Sequence, residues 1–340
     1  MENIWLYLLI LLLKIIGVFV VALGGVVAMV WVERKVCGHI QNRIGPLYVG
    51  PDGLFQPIAD SIKLFLKEDI TPTNVDKPIF YLAPLLCFIP ALLTFAVIPM
   101  GPILQVADIN VGLIYILAIS SLGVFGIIMG GYASNNKYAL LGGLRSCAQM
   151  ISYEVSLGLS IIGVLMYSGS LSLVKIVHAQ QQGMWFVLPQ LLGFAVFLVS
   201  IFAETNRLPF DLPEAEQELV AGYFVEYSSM GFGIFMLSEY VAMISGSCVM
   251  TVLFFGGWLP VPVIGPMIES VLPASFVLYA MPVIWFLSKV AFFMFFFVWV
   301  RWTFPRLRYD QLMSLGWKVL LPLALFNVFI TGIIRIVLNG

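Results

Sequence analysis

Eight stretches of this chain are apolar enough to cross a lipid bilayer, and no other feature constrains its fold as tightly. A span needs about 20 mostly apolar residues. The windows run roughly over 3–32, 79–104, 111–134, 147–168, 185–203, 235–259, 275–300 and 316–338. Soluble domains carry roughly 25% charged residues; this chain of 340 residues carries 10%, against 61% hydrophobic. It must therefore use lipid as part of its solvent. The expected fold is all-α, a polytopic helical bundle in one membrane domain over 1–340. No repeat or low-complexity segment divides it. Pro84, Pro90 and Pro99 predict a bend or local unwinding in the second window. The fifth window is short and holds Pro189. No basic stretch precedes the first window, which also exceeds a signal-peptide core of about 7–15 residues. It reads as an uncleaved helix.

Lysine and arginine set the orientation. The odd-numbered loops hold Arg34, Lys35, Arg43, Lys63, Lys67, Lys77, Lys137, Arg145, Arg207, Arg301, Arg306 and Arg308, whereas the even-numbered loops offer only Lys175. The odd loops are placed in the cytoplasm and both termini on the external side. The odd loops are also long and sequence-rich, so the cytoplasmic face is where partners are met.

The first odd loop reads GPLYVGPDG at 45–53, a turn-rich stretch. LFQPIADSIKLFLKED follows at 54–69. Leu54, Phe55, Ile58, Ile62 and Phe65 recur at helical spacing, opposite Asp60, Lys63 and Lys67. Such a helix lies in the interface plane. It reads either as a plain surface anchor or as one wall of an opening from lipid. Glu33, Arg34 and Lys35 stand at the cytoplasmic end of the first span. They read either as snorkelling stop residues or as a paired polar site. The third odd loop, 204–227, holds Glu204, Asp211, Glu214, Glu216, Glu218 and Glu226 against the single base Arg207. Interleaved apolar residues and Pro209 and Pro213 argue for a packed loop. Crowded, half-buried carboxylates bind protons more tightly and titrate as a group.

Glu154, Glu239 and Lys289 fall inside spans. Each costs at least ~2.5–3.5 kcal/mol on insertion scales, so each faces the bundle interior. The two glutamates are candidates for proton movement, with a structural hydrogen bond as the alternative. Lys289 is a candidate partner for one of them. Cys37, Cys87, Cys147 and Cys248 are scattered without a C-x-x-C pair, which argues against a metal or iron–sulfur site. No Walker A or GxGxxG pattern marks a nucleotide site.

Five blocks carry a resemblance: 33–69, from ERKVCGHIQNRIGP to FLKED; SYEVS at 152–156; AETNRLPFDLPEAEQELVAGYFVEY at 203–227; SEY at 238–240; and WVRWTFPRLRYDQLMSLGWK at 299–318. With them the chain resembles, nearly end to end, the H-subunit family of bacterial respiratory NADH–quinone oxidoreductase, complex I. Leu47-Tyr48 departs from the polar Asn usual after that Gly-Pro. The resemblance implies the membrane part of a quinone chamber, with Glu33, Arg34 and Arg301 near its narrow part. It implies an acidic loop of Asp211, Glu214, Glu216 and Glu218. Glu154 and Glu239 would relay protons onward, with Glu226 and Lys289 as further relay candidates. Quinone, such as ubiquinone, would be the substrate. FMN and iron–sulfur clusters would sit only in partner subunits, so electron transfer would occur there. The implied partners are peripheral-arm subunits on the cytoplasmic face, with small membrane and antiporter-like subunits alongside. The implied location is the cell inner membrane.

Three other readings fit some of the residues. A stand-alone secondary transporter would show repeats and matching broken helices, which are not evident. The membrane anchor of an energy-converting hydrogenase would share the scaffold without quinone; the GPDGLFQP turn favours the quinone enzyme. A purely structural anchor would make Glu154 and Glu239 dispensable for pumping.

Overall fold

The computed structural model describes residues 2–102, 104–211, 222–262, 264–270 and 272–339. The expected acids Glu214, Glu216 and Glu218 lie outside the described residues. The helices are α1 (Glu2–Ile40), α2 (Gln56–Leu66), α3 (Lys77–Leu93), α4 (Gly112–Ala133), α5 (Lys137–Ser168), α6 (Leu173–Gln182) and α7 (Leu191–Glu204). After them come α8 (Ser229–Phe254), α9 (Ile264–Glu269), α10 (Ala274–Tyr279), α11 (Met281–Thr303), α12 (Tyr309–Leu315) and α13 (Leu321–Asn339). Among the described residues no strand forms.

Among the described residues, seven helices are long and apolar enough to span a membrane. The fifth expected window is the exception. Its helix, α7, has only 14 residues, about 21 Å at 1.5 Å per residue, short of a hydrocarbon core of about 30 Å. Residues 186–190, with Pro189, turn instead of extending it. The second window is shortened as well: α3 runs through Pro84 and Pro90, tightens into a 3-10 turn at Thr94–Ala96, and ends before Pro99.

Burial separates pillar from periphery. In α8, 72% of the most apolar window is buried, against 11% in α1. Lipid-exposed residues such as Trp5, Leu9 and Phe19 cover α1, while α8 packs on α1, α3 and α11. Small residues let the inner helices approach. A Cβ on Gly126 of α4 would meet Cys87 Sγ of α3 at 2.5 Å, and one on Gly142 of α5 would meet the Gly222 Cα at 2.5 Å. Helix α2 leaves Ile58, Ile62, Phe65 and Leu66 exposed, as an interfacial helix requires. The loops after α2, α4, α7 and α11 meet at one end of the bundle. There Asn135 donates to the Asn74 carbonyl (3.0 Å) and Leu307 N–H donates to the Pro209 carbonyl (3.1 Å).

Candidate functional site

At the loop-rich end, two helices and a loop bring hydrogen-bond donors to one carboxylate on a third helix. Glu33 rides on α1, which continues past it to Ile40, so the charged triplet does not stop the helix. Its side chain is buried. Arg207, from the loop after α7, donates from one terminal nitrogen to both Glu33 oxygens at 3.1 and 3.3 Å. Arg301, in the last turn of α11, donates to Oε1. The Tyr240 hydroxyl of α8 donates to Oε2 at 2.8 Å. Arg207 turns its Nε to within 2.8 Å of Glu239 Oε1, and its guanidinium lies 4.3 Å from the Tyr240 ring centre.

Two carboxylates thus balance two guanidiniums in a desolvated place. Burial alone would lower the Arg207 pKa; the Glu239 and Glu33 charges outweigh it and hold it above the ordinary arginine value. Such a cluster is far more sensitive to losing one member than to losing all of them together.

The loop bearing Arg207 is pinned from two sides. Buried Gln149 of α5 donates to the Ala203 and Phe210 carbonyls at 2.8 and 2.7 Å. Arg306 pairs with buried Asp211 at 3.2 Å.

Beside the network lies a cavity of about 110 Å³, lined in part by Ser120, Glu204, Asn206, Ser238, Glu239 and Ser245. About 10–15 Å³ of such space holds one water, so several fit among these polar groups. Glu239 belongs to both the network and the cavity wall. Glu204 hydrogen-bonds Ser120 and feels the charge of Glu154. The α5 segment around Glu154 is held by α12 and the turn after it: Tyr153 OH donates to the Leu312 carbonyl at 2.9 Å, and Trp317 Nε1 donates to Ser152 Oγ at 3.1 Å.

Of the residues singled out in the sequence, Glu33, Glu239 and Arg301 converge. Arg34 turns away to Asp60 on α2, which also takes Lys63 at 2.9 Å. Partial burial would raise the Asp60 carboxyl, but hydrogen bonds from Lys63, Arg34 and Gln56 hold it at about 2. Glu226 accepts from Asn136 at 2.7 Å, beside a separate polar pocket.

Lys289 corrects an expectation. It pairs with neither Glu154 nor Glu239. Its ammonium donates to the carbonyls of Phe255, Gly257 and Leu259, at the far end of α8. A helix terminus leaves carbonyls unpaired there, and their dipoles can hold a cation.

Sequence reasoning missed Arg207, Tyr240 and Glu204 as site residues. One signal was present: Arg207 is the single base among six acids, and a buried cluster of acids needs a counter-charge.

A family model described as NADH dehydrogenase matches residues 13–332. The H subunit of an NADH-quinone oxidoreductase from Rhodospirillum rubrum is 54% identical, over 95% of this chain and 93% of its own. The NADH-ubiquinone oxidoreductase chain 1 of Chondrus crispus is 55% identical, over 96% and 98%. The H subunit of an NADH-quinone oxidoreductase from Thermomicrobium roseum is 52% identical, over 93% of each.

Proposed function

Because the chain belongs to the NADH dehydrogenase family, as a membrane subunit of an NADH–quinone oxidoreductase, we propose that its loop-rich end forms the membrane part of a quinone chamber and couples quinone reduction to proton translocation. One observation carries this reading. Glu239 closes the ion network on one side and lines the cavity on the other.

Reducing a quinone to a quinol takes two electrons and two protons. The electrons come from partner subunits that hold FMN and iron–sulfur clusters. This chain supplies the pocket and the acids. The exposed apolar face of α2, with Arg34 pinned to Asp60 beside it, suits the passage of an isoprenoid tail from lipid. A quinone that gains charge near Glu33, Arg207 and Arg301 perturbs a cluster that is neutral at rest. A change in the hold on Glu239 passes to the cavity, whose wall holds Glu204 as the next proton position, with Glu154 beyond it, close enough for its charge to act on Glu204. Asp211 and the acids Glu214, Glu216 and Glu218 would stand at the chamber side. Glu226 is held as an outlying member.

In this reading the loop-rich end faces the cytoplasm of a bacterial inner membrane, and the peripheral-arm subunits dock there. Small membrane subunits and antiporter-like subunits cover the lateral faces.

Replacing Glu239 with Gln in the assembled enzyme tests the coupling. The side chain keeps its shape and loses its charge. Quinone reductase activity is expected to fall about tenfold or more, a general acid–base loss being worth about 10²–10⁴. Protons pumped per electron pair fall with it. Unchanged activity and stoichiometry would remove Glu239, and the cavity with it, from the mechanism.

A further inference from the structure

The two helices that bring Tyr240 and Arg301 to Glu33, α8 and α11, run antiparallel and are tied at both ends. At the loop-rich end both donate to the one carboxylate, through Tyr240 to Oε2 and Arg301 to Oε1. Midway, Ser247 Oγ lies 3.4 Å from Met294 Sδ. At the opposite end stands Lys289 of α11, a buried cation. Its three N–H groups go to Phe255 (2.8 Å), Gly257 (2.9 Å) and Leu259 (2.6 Å) carbonyls. The Trp185 ring centre is 4.5 Å from Nζ.

This cage is built. Gly256 and Gly257 take φ of 71° and 53°, turning the chain so that the carbonyls converge. A Cβ on Gly256 would meet Trp185 at 2.7 Å. Gln180 of α6 completes the cap, accepting from Gly256 N–H at 2.9 Å and donating to the Val252 carbonyl at 2.8 Å. Among the described residues, no carboxylate joins the cage. All three ammonium protons are engaged, which suits a clamp.

We propose that Lys289 is a positioning residue: by locking the end of α8 to α11, it sets the axial register that lets Tyr240 and Arg301 reach the same Glu33 carboxylate. The helices are stiff rods, so a slip at the cage is carried to the network about 25 Å away along α8. The consequence for quinone chemistry rests on the proposed function; the register itself does not.

The test uses the assembled enzyme with Lys289→Met and Lys289→Arg. Spin labels at Ile234 and Trp299 report the α8–α11 distance, and a short-chain quinone reports KM, kcat and the pH profile. With Lys289→Met the label distance shifts or broadens, KM rises about threefold to tenfold with a smaller change in kcat, and the pH profile moves. Lys289→Arg restores all three. An unmoved label distance overturns the proposal, and so does a loss of proton stoichiometry at an unmoved distance, which would make Lys289 a relay. A moved distance with unchanged kinetics upholds the clamp and counts against the quinone reading. If Lys289→Met does not assemble, Gln180→Met removes a neutral part of the same cap, and the same outcomes decide.

Discussion

The two ends of this bundle are held together by different chemistry. At the loop-rich end buried ion pairs join the elements: Glu33 with Arg207 and Arg301, Glu239 with Arg207, Asp211 with Arg306. At the other end cations meet backbone dipoles, and amides meet hydroxyls. Lys289 caps the end of α8, and Arg335 donates to the Met166 and Tyr167 carbonyls at the end of α5 (3.0 and 3.1 Å). Gln190, Asn327 and Thr331 bond one another. A carboxylate pair can be broken by one proton or by one approaching charge. A carbonyl cap offers no acceptor that a proton can neutralise. One end is therefore built to respond and the other to stay put, which is what a device that turns charge into movement needs.

The comparison is broken most forcefully at Arg207. Replacing Arg207 with Met takes away the guanidinium shared by Glu33 and Glu239. Stranding buried charge costs about 3–5 kcal/mol, so the assembled enzyme should lose most of its thermal stability margin and nearly all quinone reductase activity. The deficit should shrink as pH falls, since a proton then does what the guanidinium did. A melting series from pH 8 to pH 5.5 checks it. A deficit that is constant with pH would mean that the loop-rich end is held by shape, like the other end.

Little of this contrast was legible beforehand, although much of the fold was. Hydropathy placed the seven long spans because lipid demands long apolar runs. It did not foresee that α7 would have only 14 residues, because a window sums apolar residues and does not see that residues 186–190, with Pro189, make a turn. It also set the end of α1 near residue 32, whereas α1 runs on to Ile40: Glu33 has buried partners and needs no water. The insertion cost of Glu239, and the place of Glu33 beside two cations at the end of the first span, made them suspects from sequence. Their meeting through Arg207 and Tyr240 joins residues more than 170 positions apart in the chain, and no local pattern encodes that. Lys289 shows the limit most plainly. Its need for a polar partner could be read; that the partner is the carbonyl end of a helix could not, since every helix end offers the same groups.

A neutral site at the opposite end sharpens the contrast from the other side. Asn327 donates to Gln190 Oε1 at 2.8 Å, and Gln190 donates to Thr331 Oγ1 at 2.8 Å, all buried. Asn327→Leu strands the Gln190 oxygen. Hydrogen bonds between spans average about 0.6 and reach about 1.7 kcal/mol, so a loss of about 1 kcal/mol is expected. The shift in melting temperature should be the same at pH 6 and pH 8, and quinone reductase activity should hold. A pH-dependent shift would erase the distinction between the two ends.

The smallest effect should come from a charge pair that belongs to the responsive end but faces water. Asp60 binds Arg34 and Lys63, and the Arg34 side chain is 46% exposed. The Asp60 carboxyl is held at about 2, below its ordinary 3.8. A folded-state value below the unfolded one adds stability that is complete above about pH 4–5 and fades as pH falls toward 2. Solvent screening limits it to about 0–1 kcal/mol. Asp60→Asn should therefore lower the melting temperature slightly and equally at pH 6 and pH 8, and raising salt should shrink even that. What matters in a charge pair is thus its burial, not its sign or its count. An exposed pair beside α2 behaves almost like the neutral bonds at the far end, whereas the buried cluster around Arg207 should answer to pH in the physiological range. A large pH-dependent loss at Asp60 between pH 6 and pH 8 would show that the interfacial helix is itself part of the responsive region.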